Sequence, residues 1–340
     1  MKTSIKIPED EILNKLLTDA EVRRAVTRQS HKWFFSVFLS EYIQYELALF
    51  HEDMFALSEN NEKLSVIMAF RGSGKSTIMN LSYAIWSILG VQQKKFVVIV
   101  SKTQSQAKNH LQNIRDELEH NALLKQDLGP FQADDSNWGA SSIVLTKMNA
   151  RIMAVSREQA TRGLRYGAHR PDLIICDDLE DQSSYANKKE REETYQWLLN
   201  EVLPMGDVDT KVLVLGNLLG EHSLLMKLQK DIQQNNLNGV FRAYPLLDDF
   251  EEVMWPGKFD TSEKIKDLKT NVPTRILWDQ EYLLGYTPEN YLGALSKASR
   301  DSKAGLDSSN ISSTYALGKY RIGAPRLVFN LGWTSNLWRE

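Results

Sequence analysis

A single cysteine, Cys176, occurs in 340 residues, so an intrachain disulfide and a cysteine-based zinc site are both excluded. No apolar run approaches the roughly 20 residues of a membrane span. Residues 1–10 are too polar for a secretory signal, and a cytoplasmic protein is expected. Charge of one sign is also lacking: 41 Lys+Arg against 44 Asp+Glu leave a formal net charge of -3. Without a global basic field, any contact with nucleic acid must come from a local patch. The six histidines lie far apart and read as scattered surface or helix residues in place of a metal cluster. No internal repeat is visible. What remains is an ordinary globular composition, 42% hydrophobic and 25% charged, in a chain long enough for two domains or for one large domain with appendages.

Against that plain background, residues 69–77 read Ala-Phe-Arg-Gly-Ser-Gly-Lys-Ser-Thr, between the apolar run Ser65 to Met68 and the helical run Ile78 to Leu89. A strand that turns into a helix at such a sequence is the setting of a phosphate loop. Arg71, Gly72, Ser73, Gly74, Lys75, Ser76 and Thr77 are the expected nucleotide-binding residues. Backbone N–H groups close around the phosphates, Lys75 reaches the β/γ oxygens, and Ser76 ligates Mg²⁺. The pattern G-x-x-x-x-G-K-[ST] asks for glycine where Ala69 stands. Downstream, Leu173 to Cys176 form an apolar strand that ends in Asp177 and Asp178, followed by Glu180. Asp177 is the expected Mg²⁺ carboxylate; Asp178, with Glu180 as the alternative, is the expected group that orients or deprotonates the attacking water. The cofactors implied are ATP and Mg²⁺.

The apolar runs at Ser65–Met68, Phe96–Val100, Ile143–Leu145, Ile152–Val155, Leu173–Cys176 and Val212–Leu215 alternate with helical segments such as Thr103–Leu118 and Lys188–Leu203. The pattern predicts an α/β fold, a P-loop NTPase with a mostly parallel central sheet flanked by helices. Ile143–Leu145 and Ile152–Val155 can also pair as a hairpin. Residues 8–59 read as helical, with Trp33, Phe34, Val37, Phe38, Tyr42 and Tyr45 as core aromatics and apolar neighbours, and Ile12, Leu13, Leu16 and Leu17 as a second stripe. Val212–Leu215 ends at Gly216-Asn217, where Asn217 is placed to sense the γ-phosphate; a strand-ending turn is the plainer alternative. Arg71, Arg162 and Arg165 are candidates for the arginine that stabilises the transition state.

Several segments, in order, resemble the large terminase subunits of tailed bacteriophages. Ala160-Thr-Arg-Gly-Leu-Arg165 followed by His169 to Asp181 looks like their Arg-Gly loop leading into the second nucleotide motif. Phe50-His-Glu-Asp-Met54 resembles the helix before their phosphate loop, and Ser101 to Ala107 the start of the helix after the second strand. Trp255-Pro-Gly-Lys-Phe259 and Trp278 to Leu283 look like the connector after the ATPase. The resemblance spans about residues 30 to 288 and is carried by the order of its pieces. It implies an ATP-fuelled motor that moves viral double-stranded DNA into a procapsid in the host cytoplasm. The implied partners are a portal protein, a small terminase subunit and further copies of the chain in a ring, with no membrane. By position it implies Arg71 as the phosphate-loop arginine, Asn217 as the coupling residue and Arg162 as a finger acting across a subunit boundary. Many relatives carry Glu where Asp178 stands, which leaves the base open between Asp178 and Glu180.

The expected organisation is a helical N-terminal segment packed on the ATPase (1–62), the ATPase core (63–245), a connector (246–290) and a short C-terminal tail (291–340). Family members continue into a ribonuclease H-like nuclease. Here Ala304-Gly-Leu-Asp-Ser-Ser309 resembles its first strand, with Asp307 as the metal-binding residue, but the remaining residues are too few for that domain. ATP hydrolysis without nuclease activity in this chain is the expectation. Two other classes stay open: a helicase-like P-loop ATPase, whose additional motifs are not found, and a non-catalytic remnant, to which Ala69 and the short tail lend plausibility.

Overall fold

The computed structural model describes residues 9–132, 138–159, 163–248 and 251–284. The chain divides into two compact units at Arg23/Arg24. In the first, α1 (Glu9–Thr18) leads into the opening residues of α2 (Ala20–Gln29), whose remainder belongs to the second unit, and the Arg23 guanidinium donates to the Leu16 carbonyl at 3.0 Å. Leu16 is buried but Leu17 is 70% exposed, so the N-terminal apolar stripe is narrower than its sequence suggests; the side chains of Ile12 and Leu13 lie outside the described ones.

The second unit is built on one eight-stranded sheet: β1 (Leu64–Ala69), β2 (Phe96–Ser101), β3 (Trp138–Gly139), β4 (Ser142–Leu145), β5 (Ala150–Ser156), β6 (Leu173–Asp177), β7 (Lys211–Gly216) and β8 (Val240–Tyr244). The spatial order is β3-β4-β5-β2-β6-β7-β1-β8. From β5 to β8 all pairs are parallel, while β4 runs antiparallel to both β3 and β5. The expected hairpin of β4 with β5 is thus present beside the parallel sheet.

The strands are apolar on both faces because helices cover both. Side chains alternate along a strand, and the alternation sorts them into two cores. Ile67, Val97, Ile99, Ile175 and Leu213 pack with residues of α3 (His31–Phe38), α4 (Leu49–Glu59), α5 (Tyr83–Leu89), α6 (Gln104–His120) and α7 (Ala122–Leu128). Val66, Val98, Ile174, Cys176 and Val214 face the other way, onto the layer that holds α9 (Lys188–Trp197) and α10 (Leu224–Gln233); the short α8 (Gln182–Ala186) precedes α9. Each such side chain contributes roughly 1.5–3 kcal/mol by leaving water. Cys176 is fully buried, in line with its reading as a small apolar residue.

Polar residues fix where elements begin. Thr103 and Gln106 form a reciprocal capping box at the start of α6. Asp172, at the foot of β6, accepts the N–H groups of Lys95 at 2.7 Å and Phe96 at 3.0 Å and so sets the register of β2 against β6.

Residues 9–59 are helical as expected, in separate helices α1 to α4, with one longer break between the 3-10 turn Ser40–Tyr42 and α4. Tyr42 and Tyr45 fall at that break and are 43% and 40% exposed, unlike the buried Phe34 and Phe38. The helix expected at Lys188–Leu203 stops being α-helical at Trp197, continuing as a π turn over Leu198–Val202 and a 3-10 turn over Leu203–Met205 that contains Pro204. The short strands β3 and β8 were not anticipated. After β8 come α11 (Ser262–Asn271) and α12 (Arg275–Glu281). Residues 285–340, including Asp301 and Asp307, lie outside the described residues. Among the described residues no helix is long and apolar enough to cross a membrane.

Candidate active site

β1 ends at Ala69, which is fully buried and still paired with Tyr244 of β8. In that strand position a methyl group is tolerated, and the departure from the glycine pattern costs nothing visible. The chain then closes a tight loop. The Phe70 N–H donates to the Tyr244 carbonyl, the Ser73 N–H to the Phe70 carbonyl at 3.2 Å, and the Ile78 N–H to the Gly74 carbonyl at 3.0 Å, which starts the next helix. Gly72 and Gly74 have φ of 77° and 85°, a conformation that costs a side-chain-bearing residue about 1–2 kcal/mol. The helix that follows widens into a π turn over Thr77–Ser82 before α5. Turns of this kind recur at functional sites, and here the turn carries Asn80.

Lys75 is only 8% exposed. Its ammonium donates to Asn217 Oδ1 at 2.6 Å, and Asn217 directly follows β7. Asp177, the last residue of β6, is fully buried; its Oδ2 accepts from Asn80 Nδ2 at 3.0 Å and lies 3.7 Å from His110 Nε2. The other oxygen, Oδ1, is buried without a partner, as are Asn217 Nδ2, Asn80 Oδ1 and Ser73 Oγ. Buried polar atoms are normally paired, so unsatisfied atoms on residues that converge from β6, β7, the glycine turn and the π turn mark a place built for something else to bind. A divalent cation fits the donor set: Asp177 Oδ1 and the Ser76 hydroxyl are hard oxygen donors of the kind Mg²⁺ takes.

Asp178 has φ of 51°, left-handed backbone that Asp adopts more readily than most residues. Its N–H donates to the Leu215 carbonyl at 3.2 Å. Burial raises its carboxyl pKa, the neighbouring Asp177 adds to the rise, and the charges of Lys75, His110 and Arg71 oppose it. Glu180 is oriented differently: its Oε2 accepts the Leu224 N–H, the first of α10, at 2.6 Å, and burial raises its pKa. One oxygen of Glu180 thus serves a helix N-terminus, whereas Asp178 lies in the field of Lys75 and Arg71.

Arg71 is held from the far side. Its N–H donates to the Glu281 carbonyl at 2.9 Å, and its guanidinium pairs with the Glu281 carboxylate at 3.1 Å. That carboxylate is the main reason its pKa is raised. Arg165 is exposed in the loop before β6, and Arg162 lies outside the described residues. Thr77 lines a neighbouring cavity of about 530 Å³, together with Tyr42, Tyr45, Gly74, Trp255 and Lys258. Trp255 is anchored there by its indole N–H, which donates to the Glu46 carbonyl at 2.7 Å.

Several of these residues escaped the sequence reading. Asn80 and His110 reach Asp177 only through the π turn and the crossing of α6. His51, which the sequence offers only as one of the scattered histidines and as part of the Phe50–Met54 segment, is buried and bonds to the phosphate loop. The spacing Ala48-x-x-His51, a capping position, was the available signal.

A β-strand, a left-handed glycine turn holding a buried lysine, a helix, and an adjacent acid-tipped strand define the P-loop class of α/β fold. No protein-family model and no curated protein matches the chain. Among solved structures, it is similar to the large terminase of bacteriophage HK97 at 14% identity and a TM-score of 0.45, over 70% of this chain and 50% of that one. The chain therefore spans about half the length of the HK97 protein. It is similar to the large terminase ATPase domain of Thermus phage P74-26 at 14% identity and a TM-score of 0.46, over 75% of this chain and 97% of that one. A large terminase from a thermophilic bacteriophage, solved in complex with ADP, matches at 10% identity and a TM-score of 0.43, covering 65% of this chain and 48% of that one. These are likenesses of fold, and function has to be read from this chain's own residues.

Proposed function

We propose that the chain binds ATP with Mg²⁺ at the turn after β1, hydrolyses it, and serves as the motor part of a large terminase that moves double-stranded DNA. The observation that carries the nucleotide reading is the buried Lys75 ammonium, which donates to the neutral Asn217 Oδ1, together with a buried Asp177 that keeps one oxygen unpaired. An ammonium and a carboxylate set apart in this way suit an anion and a cation that arrive together. Ser76 and Asp177 would hold Mg²⁺, which would neutralise phosphate charge. Asn80 keeps the Asp177 carboxylate in place, and Lys75 with the loop N–H groups of residues 71–77 grips the phosphates. Asp178, with its raised pKa, accepts a proton from water. Asn217 links Lys75 to the end of β7, so a change in what Lys75 contacts is passed to the sheet. The cavity lined by Tyr42, Tyr45 and Trp255 takes the nucleoside.

The DNA-packaging part of the reading rests on the ordered segments from Phe50 to Leu283. With it come the domain limits given above, a portal protein and a small terminase subunit as partners, a ring of copies, the host cytoplasm as the place of action, and Arg162 as a finger in trans. The competing readings make different predictions. A helicase-like ATPase would open duplex DNA, and a non-catalytic remnant would turn over no ATP. Phosphate release by the unaltered chain, by Lys75→Ala and by Asp178→Asn tests the first part: slow turnover lost in both variants supports it, and equal rates refute it. Duplex binding that weakens steeply with salt and ignores sequence tests the second.

A further inference from the structure

The imidazole of His51 is 1% exposed and has both nitrogens committed. Nδ1 accepts the Ala48 N–H at 2.9 Å. Burial lowers its pKa to about 4, so the ring is neutral and its one proton sits on Nε2. That N–H donates to the Ser73 carbonyl at 2.8 Å, inside the phosphate loop. The ring is fixed between Phe50, with centroids 3.9 Å apart, and Trp255, at 4.6 Å and nearly perpendicular.

In a trans peptide the C=O and the following N–H point in opposite directions. A Ser73 carbonyl tied to His51 therefore turns the Gly74 N–H to the other side of the peptide plane. If this peptide flipped, it would present a carbonyl oxygen where an amide hydrogen is wanted by a phosphate. Gly74, with φ of 85° and no side chain, is the residue about which such a flip is easiest. The neighbouring peptides are tied from another direction, since Lys258 Nζ donates to the Gly72 carbonyl at 3.1 Å and the Arg71 N–H to the Glu281 carbonyl at 2.9 Å.

We infer that His51 is a positioning residue for the phosphate site: through the Ser73 carbonyl it holds the Gly74 N–H in the orientation that receives a phosphate oxygen. This rests on the nucleotide reading above. The first residues of α4 thereby become part of the phosphate site, as the floor on which the loop is set before ligand arrives.

Two replacements separate this role from simple packing. A Gln amide nitrogen can stand where Nε2 stands and keep the bond to Ser73; an Asn side chain can replace Nδ1 toward Ala48 but cannot reach Ser73. Dissociation constants for ATP with Mg²⁺ by titration calorimetry, and melting temperatures, are measured on the full chain, with Lys75→Ala as control. His51→Asn should bind about tenfold more weakly, and His51→Gln within about threefold of the unaltered chain, although each loses one hydrogen bond and both should melt at similar temperatures. If His51→Asn does not fold, His51→Leu, which fills the space without the bond to Ser73, takes its place: binding about tenfold weaker than that of His51→Gln supports the role, and equal binding overturns it. Normal binding by His51→Asn, or equal weakening in both variants, overturns it while leaving the nucleotide reading intact. Absence of binding by the unaltered chain, or binding unchanged by Lys75→Ala, overturns the nucleotide reading itself and this inference with it.

Discussion

Strand β7 begins at Lys211 and ends just before Asn217, the partner of Lys75, and its two ends treat a buried ammonium in opposite ways. Lys75 and Lys211 are 8% and 6% exposed. Lys211 donates to the carbonyls of Leu57 at 2.6 Å, Ser58 at 3.2 Å and Asn60 at 2.7 Å, and to Asn60 Oδ1 at 3.0 Å. These are the open carbonyls at the C-terminus of α4, where a cation is favoured by both hydrogen bonding and the helix dipole. At the other end Lys75 has Asn217 Oδ1, and unsatisfied polar atoms stand around it. The hydrogen bonds of Lys211 tie the start of β7 to the end of α4, although burial makes its charge costly. On the proposed reading, the under-satisfied ammonium, Lys75, is the group that meets the nucleotide.

The comparison breaks most sharply at the poorly satisfied end. Lys75→Ala and Asp178→Asn should each lower ATP turnover by at least about a hundredfold. Asp178→Asn should at the same time raise the melting temperature. A carboxyl with raised folded pKa contributes stability while protonated and loses it as pH rises through that pKa; above it, the neutral amide is favoured. The gain should be present at neutral pH and vanish in acid below the ordinary aspartate range, and a thermal melt series against pH checks it.

Lys211→Met should do the reverse. It leaves the α4 carbonyls without their donor and should cost about 2–4 kcal/mol of stability by denaturant titration, while ATP affinity below the transition stays as it was. Burial, with Lys94 nearby, lowers the Lys211 pKa to about 8 from an ordinary 10.5. A base with a depressed folded pKa gains stability as pH rises through that window. The gap between the unaltered chain and Lys211→Met should therefore widen between pH 8 and 10.5.

Smaller effects sharpen the assignment of the base. Glu180→Gln keeps an oxygen for the Leu224 N–H and should retain most turnover, whereas Glu180→Ala loses the cap of α10 and about 1 kcal/mol. Loss of turnover in Glu180→Gln comparable to Asp178→Asn would move the base to Glu180. The smallest effect is expected from Glu281→Ala: the Arg71–Glu281 pair is partly exposed, with Arg71 68% exposed, and should contribute under about 1 kcal/mol, with ATP affinity changed about two- to threefold.

The loop and the acid-tipped strand were legible because each is a local pattern: glycines and a lysine between an apolar run and a helix, and carboxylates at the end of another apolar run. Sheet class was legible from alternation, since strands covered on both faces read as continuous apolar runs. What could not be read was long-range. Asn80 meets Asp177 only because the helix opens into a π turn, and His51 meets Ser73 across 22 positions of sequence. Tyr42 and Tyr45 looked like helix-core aromatics because their spacing fits a helix that the chain abandons at Ile43. That α10 takes one oxygen of Glu180, the alternative to Asp178, was likewise beyond the local pattern.

The most direct measurement is a calorimetric titration of ATP with Mg²⁺ into three proteins, the unaltered chain, Lys75→Ala and Lys211→Met, each with its melting temperature. Binding lost only in Lys75→Ala, with a lowered melting temperature only in Lys211→Met, is the predicted result. Equal ATP affinity in Lys75→Ala and the unaltered chain would contradict it.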